Sequence, residues 1–236
     1  MSLPKIQHAT FTAEIPSTKK PVRFRQYTAK EEKILLMAKS SGGDDDILAA
    51  IKQIVNNCIL NENFDIDAMT IFDLEWLFLK IRAVSVSNVV SVSYRDNEDN
   101  KVYDFEINLD EVKIVWPVEK PATITVGEGV SVSFKWPTAD LYTDTRLLAA
   151  TGIDALEMLV VKCIDKIFTA DQVYDPKDYS TDELIAFISD VEVNAYNEIK
   201  HFFDTMPRME YVITYQNEKG TDRRIELNSL VDFFQF

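Results

Sequence analysis

The sequence predicts a mixed α+β protein of two similar units, in each of which short antiparallel strands or hairpins pack against helices. Apolar residues recur at helical spacing over residues 47–60 and 70–83, and they alternate with polar residues over residues 89–94 and 102–108. Several motifs of the first half also return in the same order in the second half. Hairpins and helices that do not alternate regularly are typical of α+β folds.

The first predicted element is a hairpin with a basic face. Residues 11–15 and 22–27 have the pattern of short strands, and the segment PSTKKP at 16–21 is rich in turn-forming residues. The basic residues of this hairpin are Lys19, Lys20, Arg23 and Arg25. They contrast with an acidic segment over residues 96–111, and such asymmetry can orient subunits as they dock, although solvated strand faces are the simpler interpretation.

Two helices are predicted to follow the hairpin. Thr28 is a suitable N-cap, and Glu31 occupies the capping-box position three residues later. The segment SSGGDDD at 40–46 should end this helix, and its aspartates should then face the N-terminus of a helix over residues 47–60. Because the segment lacks further oxygen ligands at fixed spacing, we favour capping over the binding of a hard cation.

The most apolar helix is predicted over residues 70–83. Its apolar side chains cover nearly the whole circumference, so the helix should be buried, with Trp76, Leu77 and Phe78 in the core. A charged side chain in such a helix must reach water or a partner, and we expect at least Arg82 to be paired.

A second hairpin is predicted at residues 89–94 and 102–108, around the polar turn RDNEDNK. This turn lacks the glycine and the distal glutamate that a calcium loop requires at fixed offsets, so we interpret it as a turn. The segment WPVEKPA at 116–122 contains two prolines and is the predicted boundary between units 1–117 and 118–236.

Four motif pairs relate the two halves of the chain. VRFRQYT at 22–28 corresponds to VSFKWPT at 132–138, and each is followed by a double leucine. The apolar segment that ends near Cys58 corresponds to LEMLVVKCIDKIF around Cys163, and the hairpin over residues 94–108 corresponds to residues 215–228. Because the four pairs keep their order, the sequence predicts a tandem duplication.

The chain ends in an aromatic tail that follows a predicted capping box at Ser180 and Glu183 and a helical face over residues 193–203. The apolar residues of this tail are Leu230, Val231, Phe233, Phe234 and Phe236. Termini usually fray unless they are docked, so the tail either closes its own unit, which we favour, or anchors another subunit.

Composition bounds the class of partner. The chain has 39 acidic and 25 basic residues and a net charge of −14, so its field repels the nucleic acid backbone and we expect protein partners. No stretch approaches the roughly 18 apolar residues of a membrane span. The first residues lack the apolar run of a signal peptide, which predicts synthesis and residence in the cytoplasm.

No catalytic motif is visible. The sequence has no Gly-rich phosphate loop, metal-ligand spacing or nucleophile elbow. Cys58 and Cys163 lie in apolar helical patterns and are expected to be core thiols, and His8 and His201 have no evident partner. We therefore expect no enzyme, no cofactor and no metal.

Three stretches carry a family resemblance: RFRQYTAKEEKILLMA at 23–38, FDLEWLFLKIRAVSVSN at 72–88 and FEINLDEV at 105–112. They resemble the tail baseplate proteins of T-even-like bacteriophages, and more closely the family of baseplate hub subunits and hub assembly proteins. The resemblance covers roughly residues 20–115 and rests on patterns of fold. It implies a protein that forms or helps to assemble the baseplate hub of a contractile tail, with other baseplate or hub proteins as partners.

Such a protein acts through surfaces, in the host cytoplasm during assembly and in the virion tail if it stays there. An oligomer is an open option, and the alternatives are a transient assembly factor that is absent from the mature virion and an unrelated cytoplasmic enzyme. The residues expected to contact partners are Lys19, Lys20, Arg23, Arg25, Phe233, Phe234 and Phe236.

Overall fold

The computed structural model describes residues 4, 6–41, 43–117 and 123–234, with only the backbone of Asp44 and Asp45. It divides into two compact units, of which unit 1 comprises Met1–Val115 and Arg208–Phe236 and unit 2 comprises Trp116–Pro207. In chain order, the strands and α-helices of the described part are β1 (Thr10–Glu14), β2 (Pro21–Arg25), α1 (Ala29–Ser41), α2 (Asp44–Cys58), α3 (Ile71–Ser85), β3 (Val89–Arg95), β4 (Val102–Asn108), β5 (Lys113–Val115), β6 (Ile124–Gly127), β7 (Val130–Phe134), α4 (Thr145–Ala149), α5 (Ile153–Lys162), β8 (Ile164–Phe168), β9 (Val173–Tyr174), α6 (Thr181–Ser189), α7 (Val193–Asp204), β10 (Arg208–Gln216), β11 (Asp222–Leu227) and α8 (Leu230–Phe234).

All the strands pair in small antiparallel sheets, which confirms the predicted α+β class. Unit 1 contains the hairpins β1–β2 and β3–β4 and a three-stranded sheet in the order β11-β10-β5, and unit 2 contains a four-stranded sheet in the order β6-β7-β8-β9. The registers place Phe11 opposite Phe24 in the first hairpin and Val92 opposite Phe105 in the second. No helix of the described part is long and apolar enough to cross a membrane.

Helix α3 lies at the centre of the core of unit 1, as its apolar circumference predicted. Leu74 and Phe78 are fully buried and Leu77 is 1% exposed, and α2 packs against α3. Trp76 is only half-buried, and the Lys80 ammonium lies 4.3 Å from the centroid of its ring. One side of the helix therefore reaches solvent, where the lysine covers the indole face.

Arg82, which we expected to be paired, has an aromatic partner. Among the described residues its Nη1 atom is buried without a hydrogen-bond partner, and its guanidinium carbon lies 5.6 Å from the ring centroid of Phe234. A cation over an aromatic face gains electrostatic stabilisation. The aromatic tail therefore provides a partner for this guanidinium.

In unit 2 one hydrophobic core joins the sheet to α5, α6 and α7. Val132 of β7, Val160 of α5 and Ile199 of α7 are fully buried in it. Trp136 stacks on Phe202 of α7 with ring centroids 4.2 Å apart. The predicted capping box is confirmed, since Ser180 and Glu183 exchange hydrogen bonds at the start of α6.

The segment around Cys163 is not the continuous helix that the repeat suggested. α5 ends at Lys162 and strand β8 begins at Ile164, because Ile164 and Ile167 pair with β7. Both cysteines are buried free thiols, as predicted. Burial raises the pKa of Cys58 to about 11 and that of Cys163 to about 12.

The last part of the chain packs with unit 1. Met209 of β10 pairs with Ile114 of β5, so unit 2 ends at Pro207 rather than at the residue 236 of the predicted second unit. The two hairpins that the repeat relates, β3–β4 and β10–β11, both lie in unit 1. The tandem duplication stays a prediction.

Candidate functional site

The β1–β2 hairpin has one buried face and one exposed charged face, because side chains alternate along a strand. Val22 and Phe24 are buried, and the ring of Phe24 stacks on that of Phe11 with centroids 5.9 Å apart. On the other face Arg23 is exposed and lies opposite Thr12. The buried face holds the hairpin on unit 1 and leaves the other face free for contacts.

The turn of the hairpin is tied to the start of α3. The Ser17 amide donates to Oδ1 of Asp73 at 3.0 Å, and the Ser17 hydroxyl donates to Oδ2. The Thr70 hydroxyl also donates to Oδ2 of Asp73, at 2.6 Å. Asp73 is 2% exposed, so these hydrogen bonds satisfy a carboxylate that would otherwise be costly to bury.

The same turn fixes the backbone that carries two lysines. Ile15 and Lys20 close it, with the Ile15 amide donating to the Lys20 carbonyl at 2.9 Å. Lys19 has a φ of 59°, in the left-handed region, and its ammonium lies 3.7 Å from the carboxylate of Glu14. Both lysines are exposed.

The base of the hairpin is tied to α1 and α2 through Arg25. Its guanidinium donates to Oε1 of Glu31 at 3.0 Å, to the carbonyl of Asn57 at 3.0 Å and to the carbonyl of Gln26 at 2.8 Å. Burial is the largest influence on Glu31 and by itself would raise the pKa. Hydrogen bonds from Arg25 and Thr28 together outweigh burial and lower the pKa of Glu31 to about 2.

The two strands differ at their outer edges. On β2 the Arg23 carbonyl accepts from the Leu60 amide at 2.9 Å, and the Arg23 amide donates to Oδ1 of Asn61 at 2.7 Å. Both of these Arg23 groups face away from β1. Because Thr12 lies opposite Arg23, its own N–H and C=O face away from β2. The same holds for the backbone groups of the residues two positions before and two positions after Thr12. No backbone hydrogen bond between described residues occupies this edge of β1.

The structure therefore places the predicted contact residues in different environments. Lys19, Lys20 and Arg23 are exposed beside the open edge, whereas the guanidinium of Arg25 is engaged within the chain. The tail forms α8, in which Phe233 is 1% exposed.

Its neighbour Phe234 is half-buried, and its ring meets that of Phe78 edge-on at 5.9 Å. Phe236 lies outside the described residues. The described part of the tail thus packs within unit 1.

Sequence reasoning missed a second polar cluster, which joins the turns of β3–β4 and β10–β11. Asp96 is fully buried, and it accepts from the Tyr215 hydroxyl at 2.6 Å and the Glu98 amide at 2.8 Å. Nε of Arg223 lies 3.0 Å from Oδ2 of Asp96. The Tyr215 hydrogen bond is the main cause that lowers the pKa of Asp96. The contacts of Asp96 with Tyr215 and Arg223 join positions more than a hundred residues apart, so no local signal could have revealed them.

The described residues contain no group of three or more histidine, cysteine, aspartate or glutamate side chains placed to hold a metal ion. His8 and His201 are both exposed. The Ser17–Asp73 contact was also missed, although an aspartate in the first turn of a largely apolar helix could have drawn attention to it.

Architecture and site together define a mixed α+β protein that presents an open strand edge beside exposed cations. The chain belongs to the T4 bacteriophage base plate protein family, whose family model matches residues 8–235. The match includes the hairpin and spans both units, and it makes this a bacteriophage baseplate protein. Membership of this family supports baseplate proteins as partners and a place in the phage tail. No curated protein and no solved structure matches the chain significantly.

Proposed function

We propose that this baseplate protein is non-enzymatic and forms, or helps to assemble, the baseplate hub through protein–protein contacts made by the β1–β2 hairpin. The observation that carries the proposal is the open edge of β1, which lies beside exposed cations. The hairpin that presents this edge is fixed to the rest of unit 1 at its turn and at its base. A transient assembly factor that leaves before the virion matures is the alternative.

The β1–β2 hairpin is suited to binding because hydrogen bonds within unit 1 already fix its conformation. The turn is fixed by the hydrogen bonds of Ser17 to Asp73, and the base is fixed by the contacts of Arg25 with Glu31. A strand fixed in this way loses little conformational freedom when a partner docks. An extended segment of a partner can then pair with β1 through main-chain hydrogen bonds.

The charges beside this edge favour an acidic partner segment. Lys19, Lys20 and Arg23 are exposed, and Glu14 is the carboxylate among them. The chain as a whole has a net charge of −14 and repels acidic segments, so the basic hairpin steers such a segment to one orientation. Charged residues at a sheet edge also discourage indiscriminate strand pairing.

Thr12→Pro is the sharpest test. Proline removes the N–H that faces the open edge, while the β1–β2 hydrogen bonds remain, and an edge strand tolerates it. We expect cells that supply Thr12→Pro to phage lacking the wild-type protein to yield far fewer complete tails in electron micrographs. Thr12→Val keeps the N–H and should restore normal assembly.

Arg23→Glu tests the charge separately and should slow association with the baseplate partner while leaving the melting temperature unchanged. If Thr12→Pro and Arg23→Glu both assemble tails normally, the hairpin is not the contact. Mass spectrometry of purified particles then separates the two roles, because a structural subunit is present in the virion and a transient assembly factor is not.

A further inference from the structure

Unit 2 contains an open apolar cavity of about 360 Å³ between its sheet and α6. Its walls include Val130 of β7, Ile167 of β8, Tyr174 of β9, and Leu184 and Phe187 of α6. The volume falls at the lower end of the range of ligand pockets. The cavity can therefore receive one large apolar side chain.

The rim of the cavity carries few polar groups. Tyr179 is 40% exposed, and its ring centroid lies 6.4 Å from that of Tyr174. The carboxylate of Glu183 accepts from the amide and the hydroxyl of Ser180 at 2.8 and 2.7 Å. Because that carboxylate is engaged in capping α6, its charge is partly compensated where it meets the cavity.

A second cleft, of about 340 Å³, adjoins the cavity and shares Tyr179 and Leu184 with it. Its charged lining residues are Lys135, Lys162, Lys166, Lys177, Asp165 and Asp175. Lysines outnumber carboxylates here, in a chain whose net charge is −14.

Two of these lysines are paired with carboxylates. Lys162 lies 2.7 Å from Asp144, and Lys166 lies 2.6 Å from Asp175. Lys135 and Lys177 are exposed, and Lys177 interacts electrostatically with Asp175, whose nearest ammonium is that of Lys166. Two cations are thus available beside an apolar cavity.

We propose that unit 2 carries a docking site for an acidic segment of another protein, which inserts one aromatic or branched apolar side chain into the cavity and places carboxylates over Lys135 and Lys177. The shared wall at Tyr179 makes the two parts continuous, so a single short segment can span them. Buried apolar anchors supply most of the energy of such contacts, and the charges at the rim set orientation and rate. This site is separate from the β1–β2 hairpin and does not depend on its role.

The test selects short random peptides displayed against the full-length chain. We expect the enriched sequences to combine one aromatic or branched apolar residue with two or more aspartates or glutamates. A labelled synthetic copy of the most enriched peptide is then titrated by fluorescence anisotropy. Binding should weaken as salt is added.

Variants assign that binding to the site. Tyr179→Ala removes the shared wall, and Lys135→Glu with Lys177→Glu reverses the two exposed cations. Each change should weaken binding about tenfold. The matched control, Lys30→Glu with Lys200→Glu, makes the same change in net charge at exposed lysines elsewhere and should bind like the wild type. Equal melting temperatures establish that all the variants fold.

Three results would overturn the proposal. The first is peptide enrichment on the wild type that does not exceed enrichment on Tyr179→Ala. The second is a set of enriched peptides without acidic residues, and the third is full binding by both Tyr179→Ala and the Lys135→Glu, Lys177→Glu double variant. If the enriched peptide binds equally tightly after its acidic residues are replaced by neutral ones, the cavity belongs to a different class of ligand.

Discussion

The amide and hydroxyl of Ser17 both donate to the carboxylate of Asp73, which lies 56 positions further along the chain. This contact joins the turn of the basic hairpin to the first turn of the buried helix α3. The same carboxylate accepts from the hydroxyl of Thr70, the N-cap of α3. One side chain therefore helps to begin the core helix and to fix the hairpin on it.

Asp73→Ala should loosen the hairpin more than it disturbs the rest of unit 1. The substitution leaves the Ser17 and Thr70 donors without their acceptor, and we expect a loss of about 2 kcal/mol in the free energy of unfolding. Hydrogen exchange should accelerate at residues 15–20. Glu106→Gln, at an exposed position of β4, is the control and should change neither measurement. Unchanged exchange in the turn would show that the buried face alone holds the hairpin.

Glu31→Gln should make the free energy of unfolding of unit 1 less sensitive to acid pH. The pKa of Glu31 is about 2 in the folded chain against an ordinary value of 4.5, so its stabilising effect is complete above pH 4.5 and is lost as pH falls towards 2. The variant should be about 2 to 3 kcal/mol less stable at pH 7, with a difference that shrinks towards pH 2. Urea unfolding at a series of pH values measures it, and a constant difference would contradict the role of Glu31.

Glu75 should give a pH dependence of the opposite sign. Burial, and then the negative charge of Asp232, raise its pKa to about 7. The folded state therefore binds the Glu75 proton more tightly than the unfolded state does. The stability that this difference contributes is complete below pH 4.5 and is lost as pH rises through 7. Glu75→Gln should match the wild type at pH 4 and exceed it by about 2 to 3 kcal/mol at pH 8. If the difference in melting temperature between Glu75→Gln and the wild type does not grow with pH, the Glu75 carboxylate is solvated rather than buried.

Phe233 and Val231 form a matched pair for the tail. Phe233 is 1% exposed and Val231 is 52% exposed, on the same short helix α8. Phe233→Ala should cost about 3 to 5 kcal/mol of the free energy of unfolding, because it leaves a cavity in unit 1. Val231→Ala should change it by less than about 0.5 kcal/mol. Equal effects in urea unfolding would show that α8 contributes little to the core.

Local patterns in the sequence were enough to predict several elements of both units. The apolar circumference of residues 70–83 predicted a buried helix, and α3 is buried there. Alternation over residues 89–94 and 102–108 predicted β3 and β4, and the spacing of Ser180 and Glu183 predicted a capping box. These features depend on residues within a few positions of each other, so periodicity reveals them.

The candidate site was only partly visible in the sequence. The cluster of Lys19, Lys20 and Arg23 marked the hairpin, and the structure shows these residues exposed on it. The same pattern could not separate Arg25 from them, because its difference lies in contacts with Glu31 and with the carbonyl of Asn57 at the end of α2. Only the packing of α1 and α2 against the hairpin gives Arg25 these contacts, so only the tertiary structure separates it from the other three basic residues.

By itself, then, the sequence determined the fold class, the buried helix, the hairpins and the capping box of α6, because each follows from neighbours along the chain. The tertiary structure alone decided that Ser17 meets Asp73, that Ile164 begins a strand and that β10 pairs with β5. Each of these depends on residues distant in sequence that compete for the same hydrogen-bonding groups and buried surface. Burial makes an unpaired backbone or carboxylate group costly, so the partner available in space decides the outcome.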